Sequence, residues 1–198
     1  MIIGSVSENR DLEKRISITP EIAKKYINLG FQVQLAINYG KHLGFEDKEY
    51  SDLGVTFIDN DKALIENSDI IIQMSLLDED KTSFLRPNQT FIGVLSPLEN
   101  KNKIEELKKR KVNLFSLELL PRITRAQSMD ILSSQANLAG YKAVIESFST
   151  FEKAIPMMMT AAGTIPAAKV LVVGAGVAGL QAIATAKRMG AIVFATDV

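Results

Sequence analysis

The chain has 198 residues, of which 46% are hydrophobic, and its 23 lysines and arginines balance its 23 aspartates and glutamates. This length exceeds the usual single-domain size of about 100 to 150 residues, so the chain has room for one large domain or two smaller ones. The charge balance predicts no nucleic-acid partner, and the absence of cysteine excludes disulfides and thiolate metal sites and fits a reducing compartment.

The sequence has no pattern typical of an exported or membrane-spanning chain. No basic segment followed by an apolar one comes after Met1, so we expect no signal peptide. The run from Ala154 to Ala186 carries one charge, at Lys169, but prolines and glycines interrupt it. A membrane helix needs about 20 apolar residues, and a buried strand followed by a buried helix explains this run better.

Strands and helices alternate along the first part of the chain. Met1 to Val6 is a strand candidate, and Thr19 followed by Pro20 fits the N-cap of a helix that ends at Gly30. Further elements are predicted as strands at Phe31–Ile37, Val55–Ile58, Asp69–Met74, Thr90–Leu95 and Val112–Ser116, and as helices near Asp47–Leu53, Asp61–Glu66 and Asn100–Arg110. This alternation predicts a parallel α/β sheet.

The last part of the chain has the pattern of a nucleotide-binding βαβ unit. The apolar run from Val170 to Val173 predicts a strand, a helix follows from about Val177 to Met189, and Ala191 to Ala195 predicts a second strand. Three glycines spaced G-x-G-x-x-G join the first strand to the helix, at Gly174, Gly176 and Gly179. This spacing suits a tight turn, close approach of a pyrophosphate, and close packing of helix on strand.

An acidic residue stands where such a unit holds a ribose. Asp197 follows the second strand, 18 residues after Gly179, which is close to the usual spacing of about 20. Because a carboxylate repels a 2′-phosphate, Asp197 favours NAD over NADP. We expect the cofactor to contact the turn and the second strand end, at Gly174, Ala175, Gly176, Val177, Gly179, Asp197 and Val198. A purely structural βαβ unit is the alternative interpretation.

A polar stretch precedes this unit. In PRITRAQSMDILSSQANLAGYKAVIES, a helix with one buried side is predicted from Met129 onward, and Asp130, Ser133 and Asn137 fall on neighbouring faces of it. The residues alone leave open whether Arg122 and Arg125 hold a ligand or a carboxylate of the protein. We expect Met157 to Met159 to fill gaps in the core.

The predicted fold class is α/β with two Rossmann-like parallel-sheet domains, the second incomplete because a single βαβ unit is present. We predict an N-terminal α/β domain at residues 1–126, a connecting helical segment at 127–166 and the start of a Rossmann domain at 167–198. Because an incomplete domain cannot form a complete binding crevice, we expect a fragment of a longer protein that binds NAD weakly or not at all by itself.

The segments RAQSMD and GAGVAGLQA, together with LEKRISITPE near the N-terminus, resemble the alanine dehydrogenase/transhydrogenase family across essentially the whole chain. Within it the chain looks very like the NAD(H)-binding domain I of proton-translocating NAD(P) transhydrogenases. This resemblance implies hydride transfer between NAD(H) on this chain and NADP(H) on a partner beta subunit, coupled to proton translocation by a membrane domain. It also implies a homodimer of domain I and a cytoplasmic location, peripheral on the inner membrane through the complex.

The resemblance also implies roles for individual residues. Arg122, Asp130 and Ser133 match the loop around the nicotinamide and its ribose, and Gln127 is expected to reach towards the second nucleotide. No acid, base or metal is implied for the catalytic step.

Two other functions are considered. Alanine dehydrogenases use a lysine in the segment that matches IIIQMSLLDED and a histidine in the one that matches TFIGVLSPLEN, and neither is present here. Arg15 matches the carboxylate-binding arginine of those enzymes, but without these partners we interpret it as structural. A non-enzymatic NAD-binding or sensing module is the other alternative.

Overall fold

The computed structural model describes all 198 residues and divides into two compact units, Met1–Pro121 and Arg122–Val198. The first unit contains a six-stranded sheet with strand order β3-β2-β1-β4-β5-β6, in which every pairing is parallel. The strands are β1 (Ile2–Ser5), β2 (Gln32–Ala36), β3 (Thr56–Ile58), β4 (Ile70–Ile72), β5 (Thr90–Gly93) and β6 (Asn113–Ser116). The helices are α1 (Pro20–Asn28), α2 (Asp47–Ser51), α3 (Asp61–Asn67), α4 (Glu79–Thr82) and α5 (Lys101–Lys109). The predicted parallel α/β sheet is confirmed.

Two apolar clusters stabilise this sheet. Ile71 and Phe91 are fully buried with Leu64 and Leu107 in one cluster. The other contains Ile3, Ile18, Val33, Leu35, Tyr39 and Tyr50. Burial of each large apolar side chain contributes about 1.5–3 kcal/mol. The β-branched runs of the sequence form strands because they fit such a doubly covered sheet.

Strand order reverses between β1 and β4, because β2 and β3 lie on one side of β1 while β4, β5 and β6 lie on the other. Open α/β sheets bind ligands at the carboxyl ends of the strands at such a point. In this unit the crevice there has a volume of about 270 Å³ and is lined by Glu8, Glu13, Gln73, Ser75 and Lys81 among others.

The segment 127–166 differs in part from the predicted connecting helix. A 3₁₀ helix (Thr124–Met129) and α6 (Ile131–Thr150) are helical, but an antiparallel hairpin of β7 (Met158–Thr160) and β8 (Gly163–Ile165) follows. In its turn the Thr160 hydroxyl donates to the Gly163 carbonyl at 3.2 Å, and Gly163 has a φ of +136°. The expectation that Met157 to Met159 fill the core is wrong, because all three are exposed on this hairpin or next to it.

The predicted βαβ arrangement completes the second unit. Strand β9 (Lys169–Val173) leads into α7 (Val177–Arg188) and then into β10 (Ile192–Thr196), which pairs with β9 in parallel. The predicted Rossmann-like fold, with one βαβ unit in this second sheet, is confirmed. Leu171, Val173 and Phe194 are exposed by 66%, 79% and 54%, so one face of this two-stranded sheet is uncovered.

Candidate functional site

The glycine turn between β9 and α7 has the backbone geometry that its spacing predicts. Gly174 has a φ of +96°, and its N–H donates to the Thr196 carbonyl at 2.8 Å, which ties the turn to the end of β10. A Cβ at Gly179 would stand 1.8 Å from the Gly174 carbonyl oxygen, so the helix packs as closely as the backbone permits. Nothing lies within 4 Å of a Cβ built on Gly176, which caps α7. A pyrophosphate therefore has open space beside Gly176 and the free N–H groups of the helix start.

Asp197 is bound to this turn. One carboxylate oxygen, Oδ2, accepts a hydrogen bond from the Ala175 N–H, and Oδ1 accepts one from the Val198 N–H at 2.7 Å. These bonds, with that from Ala175 as the stronger cause, lower the pKa of the Asp197 carboxyl below its usual value. Each carboxylate oxygen has two lone pairs, so an ionised Asp197 retains acceptor sites for ribose hydroxyls.

Asp130 and Ser133 form one unit at the start of α6. The Asp130 carboxylate caps the helix, accepting from the Ser133 N–H at 3.0 Å and from the Ser133 hydroxyl at 2.6 Å. These two bonds are the main cause of the lowered pKa of Asp130, and the charge of Arg122 contributes less. Because the Ser133 hydroxyl donates its proton to Asp130, its lone pairs are left to accept from a ligand.

Arg122 lines two neighbouring clefts in this unit. The first, of about 390 Å³, lies between the α6 residues Leu132, Ser133 and Ala136 and the turn from Val173 to Gly179. The second, of about 340 Å³, is lined by Arg122, Gln127 and Asp130 and by Ile123, Thr124 and Ala126. The structure thus places the predicted loop residues and the glycine turn around adjoining spaces. Asp197 lines neither cleft and reaches the turn through Ala175.

Leu132 and Ala136 are cleft residues that the sequence reasoning missed. They lie on α6 one residue before and three residues after Ser133, so the helical period places all three near one face. Helix periodicity around Ser133 could have identified them, but they are small or apolar and carry no chemical signal of their own.

The switch-point crevice of the first unit is lined by carboxylates that are hydrogen-bonded to the chain itself. The Arg15 guanidinium donates to Glu13 at 2.9 and 2.6 Å. Glu8 accepts from the Gln73 amide at 3.1 Å, the Met74 N–H at 2.6 Å and the Ser75 hydroxyl at 2.7 Å. Burial raises the pKa of Glu8, although these hydrogen bonds oppose it. The interpretation of Arg15 as structural stays a prediction.

Neither a metal centre nor a membrane helix is found in the structure. No group of three or more histidine, cysteine, aspartate or glutamate residues is arranged to hold a metal ion. None of the helices combines the length and the apolar character needed to cross a membrane.

Strand, glycine turn, helix, second strand and terminal acid together define a Rossmann-type nucleotide-binding unit. The family follows from comparison of the whole sequence. The N-terminal domain of alanine dehydrogenase/PNT matches residues 4–139, and the C-terminal domain of the same family matches residues 143–198. The chain therefore belongs to the alanine dehydrogenase/PNT family.

Within this family, the chain is more similar to transhydrogenases than to alanine dehydrogenases. The chain is 45% identical over 203 residues to the first part of the NAD(P) transhydrogenase alpha subunit of Rhodospirillum rubrum, covering 100% of this chain and 53% of that protein. The crystal structure of transhydrogenase from Sinorhizobium meliloti matches with a TM-score of 0.95 and 44% identity, over 100% of this chain and 59% of that one. An L-alanine dehydrogenase structure, at 20% identity, TM-score 0.82 and coverage of 96% and 53%, shares the fold. The chain thus spans about half the length of such relatives.

Proposed function

We propose that this chain is the NAD(H)-binding component of a proton-translocating, Re/Si-specific NAD(P) transhydrogenase. The observation that carries the proposal is the cleft between the glycine turn and the Arg122–Ser133 segment. It combines open space at Gly176 for a pyrophosphate with polar side chains for the far end of a dinucleotide. The 45% identity to a protein named as a transhydrogenase alpha subunit supports the same reaction.

In this function the chain binds and orients the nucleotide. The N–H groups at the start of α7 hold the pyrophosphate, and Asp197 accepts hydrogen bonds from the adenosine ribose and repels a 2′-phosphate. Arg122, Asp130 and Ser133 position the nicotinamide and its ribose. The nicotinamide supplies the hydride, so the protein needs orientation and exclusion of water rather than an acid or base.

Gln127 has a separate role in the proposal. It lines the second cleft, beside Arg122 and Asp130, and not the first one along the glycine turn. We assign it to the side that faces the second nucleotide, NADP(H), held on the partner beta subunit. Loss of its amide then affects hydride transfer more than NADH binding.

The proposal includes partners. The name of the Rhodospirillum rubrum relative, which describes it as one portion of an alpha subunit, supports assembly with a beta subunit and a membrane domain. Such an assembly implies a cytoplasmic location, peripheral on the inner membrane.

The β7–β8 hairpin has exposed apolar side chains. Met158, Met159 and Ile165 are exposed by 47%, 76% and 44%. An apolar hairpin of this kind is a suitable surface for the implied homodimer.

Reconstitution tests the proposal. The chain, and a version extended to the full length of its relatives, are mixed with the NADP(H)-binding beta-subunit domain, and hydride transfer from NADPH to an NAD analogue of distinct absorbance is followed. We expect transfer that depends on both components and falls in the Gln127→Ala variant. NADH binding without transfer would support a sensing module instead, and alanine-dependent NAD reduction would support an alanine dehydrogenase.

A further inference from the structure

The spacing between the two walls of the first cleft depends on the crossing of α6 and α7. Gly140 lies on α6 seven residues after Ser133 and four after Ala136, so the three residues share one face of the helix. Ser133 and Ala136 face the cleft, on the wall opposite the glycine turn. The same face continues to Gly140, which is buried.

At Gly140 the two helices are in backbone contact. A Cβ built there would stand 2.1 Å from the carbonyl oxygen of Ala178 and 2.8 Å from its carbonyl carbon. Both atoms belong to the first turn of α7, so no side-chain rotation can make room. A side chain at position 140 therefore requires the helices to separate by more than about 1 Å, because interiors are packed without spare volume.

A second close contact connects this crossing to the glycine turn. Gly179 follows Ala178, and a Cβ at Gly179 would stand 1.8 Å from the carbonyl oxygen of Gly174. Gly140, Ala178, Gly179 and Gly174 thus form one series of backbone contacts, with no flexible side chain between them. A displacement of α6 at Gly140 therefore changes the distance from the Ser133 wall to the glycine turn.

We propose that Gly140 is a positioning residue for the nicotinamide nucleotide. By leaving out a side chain at the crossing, it holds the wall formed by Arg122 and Ser133 at the distance from the glycine turn that the bound dinucleotide spans. This inference rests on the proposed function. Gly140 itself does not line the cleft and acts through the crossing of α6 and α7.

The Gly140→Ala variant distinguishes a role in helix stability from a role in nucleotide positioning. Alanine favours a helix interior more than glycine does, so if Gly140 mattered only for the stability of α6, the variant would bind NADH no more weakly than the wild type. Positioning predicts weaker binding of NADH, because a wall displaced by about 1 Å loses hydrogen-bond distance to the bound nucleotide. Ala139→Gly is the matched control, because it lowers helix propensity at an exposed neighbour and leaves the crossing unchanged.

NADH is titrated, by fluorescence, into the chain and into a version extended to the full length of its relatives. We expect Gly140→Ala to raise the Kd at least tenfold and Ala139→Gly to change it less than twofold. Binding of NADH by Gly140→Ala at the wild-type Kd overturns the proposal, as does an equal loss in Ala139→Gly. Absence of NADH binding by the wild type in both versions rejects the proposed function as a whole.

Helix separation is a second readout that does not depend on NADH affinity. The chain has no cysteine, so cysteines introduced at the exposed Lys142 and Lys187 can carry a single pair of spin labels. We expect Gly140→Ala to lengthen the distance between the labels, and NADH to leave it unchanged in the wild type. A wild-type separation that shifts by several ångströms on NADH binding would contradict a fixed spacing at Gly140.

Discussion

Gly176→Ala separates the cofactor role of the glycine turn from its role in folding. The residue has a φ of −69° and a ψ of −170°, which alanine adopts without strain, and no atom lies within 4 Å of the new methyl group. Alanine gains about 0.4–1 kcal/mol by restricting the unfolded chain, but it loses a similar amount as a poorer N-cap. The free energy of unfolding should therefore change by less than about 0.5 kcal/mol.

The same methyl group occupies the space that a pyrophosphate needs. Displacement of the phosphates breaks hydrogen bonds to a charged group, each of which contributes about 1.5–3 kcal/mol. NADH binding should therefore weaken on the order of 100-fold, which corresponds to about 2.8 kcal/mol. Gly179→Ala is the contrasting variant, because its Cβ meets the Gly174 carbonyl oxygen at 1.8 Å. Overpacking of this kind costs about 1–3 kcal/mol, and each kcal/mol lowers the Tm by about 2–4 °C at this chain length.

Thermal unfolding followed by circular dichroism and NADH titration followed by fluorescence are measured on both variants and on the wild type. We expect Gly176→Ala to keep the wild-type Tm and to bind NADH weakly, and we expect Gly179→Ala to have both a lower Tm and a lower affinity for NADH. Wild-type affinity in Gly176→Ala would refute the assignment of the glycine turn as the pyrophosphate site. A lowered Tm in Gly176→Ala would refute the claim that the space beside it is open.

Three further predictions concern charged and polar groups. Asp197→Asn should weaken NADH binding on the order of tenfold, because a charged acceptor is lost. It should also reduce the preference for NADH over NADPH in competition titrations. An unchanged ratio of the two affinities would contradict the role of Asp197 at the ribose. Gln127→Ala should lower the rate of hydride transfer in the reconstituted complex by roughly 10- to 100-fold and should leave the Kd for NADH within twofold of the wild-type value. An equal loss of NADH binding would argue against a position of Gln127 beside the second nucleotide. Burial raises the pKa of Glu8 above its ordinary value of 4.5, so its contribution to stability is present below that pH and is lost as the pH rises through the raised pKa. The difference in unfolding free energy between wild type and Glu8→Gln, from denaturant titrations, should therefore fall as the pH increases above about 4.5, and a flat difference contradicts this.

The sequence predicted the regular elements well because their signals are local. The apolar run Ile70–Ile72 is predicted as a strand from its composition alone, and Thr19 caps α1 through a hydrogen bond from the Ile22 N–H at 3.4 Å. The helix ends where Gly30 takes a φ of +88°, which favours glycine. Glycine spacing identified the nucleotide-binding turn for the same reason.

Elements that depend on distant contacts were missed. The C-terminal end of the short helix α4 is held by the Arg110 guanidinium, which lies 25 to 28 residues further along the chain. It donates to the carbonyls of Thr82, Ser83 and Leu85. No local pattern indicates such a contact. The β7–β8 hairpin was missed because each of its strands is only three residues long, which is too short to show an alternating pattern.

The sequence predicted only part of the candidate site. Spacing alone indicated Asp197 and the three glycines, and resemblance indicated the residues around Asp130. The second wall of the cleft could not be predicted, because it depends on where α6 crosses α7. That crossing is fixed by the missing side chain of Gly140 against the backbone of Ala178, a contact that only the three-dimensional structure reveals.

Equilibrium titration with NADH tests the central claim most directly. The wild-type chain, Asp197→Ala, and a version extended to the full length of its relatives are titrated in parallel and followed by NADH fluorescence. We expect saturable binding by the extended version, weaker binding by the chain itself and a loss of affinity in Asp197→Ala. Absence of NADH binding in the extended version would contradict the assignment of a nucleotide site to this family member.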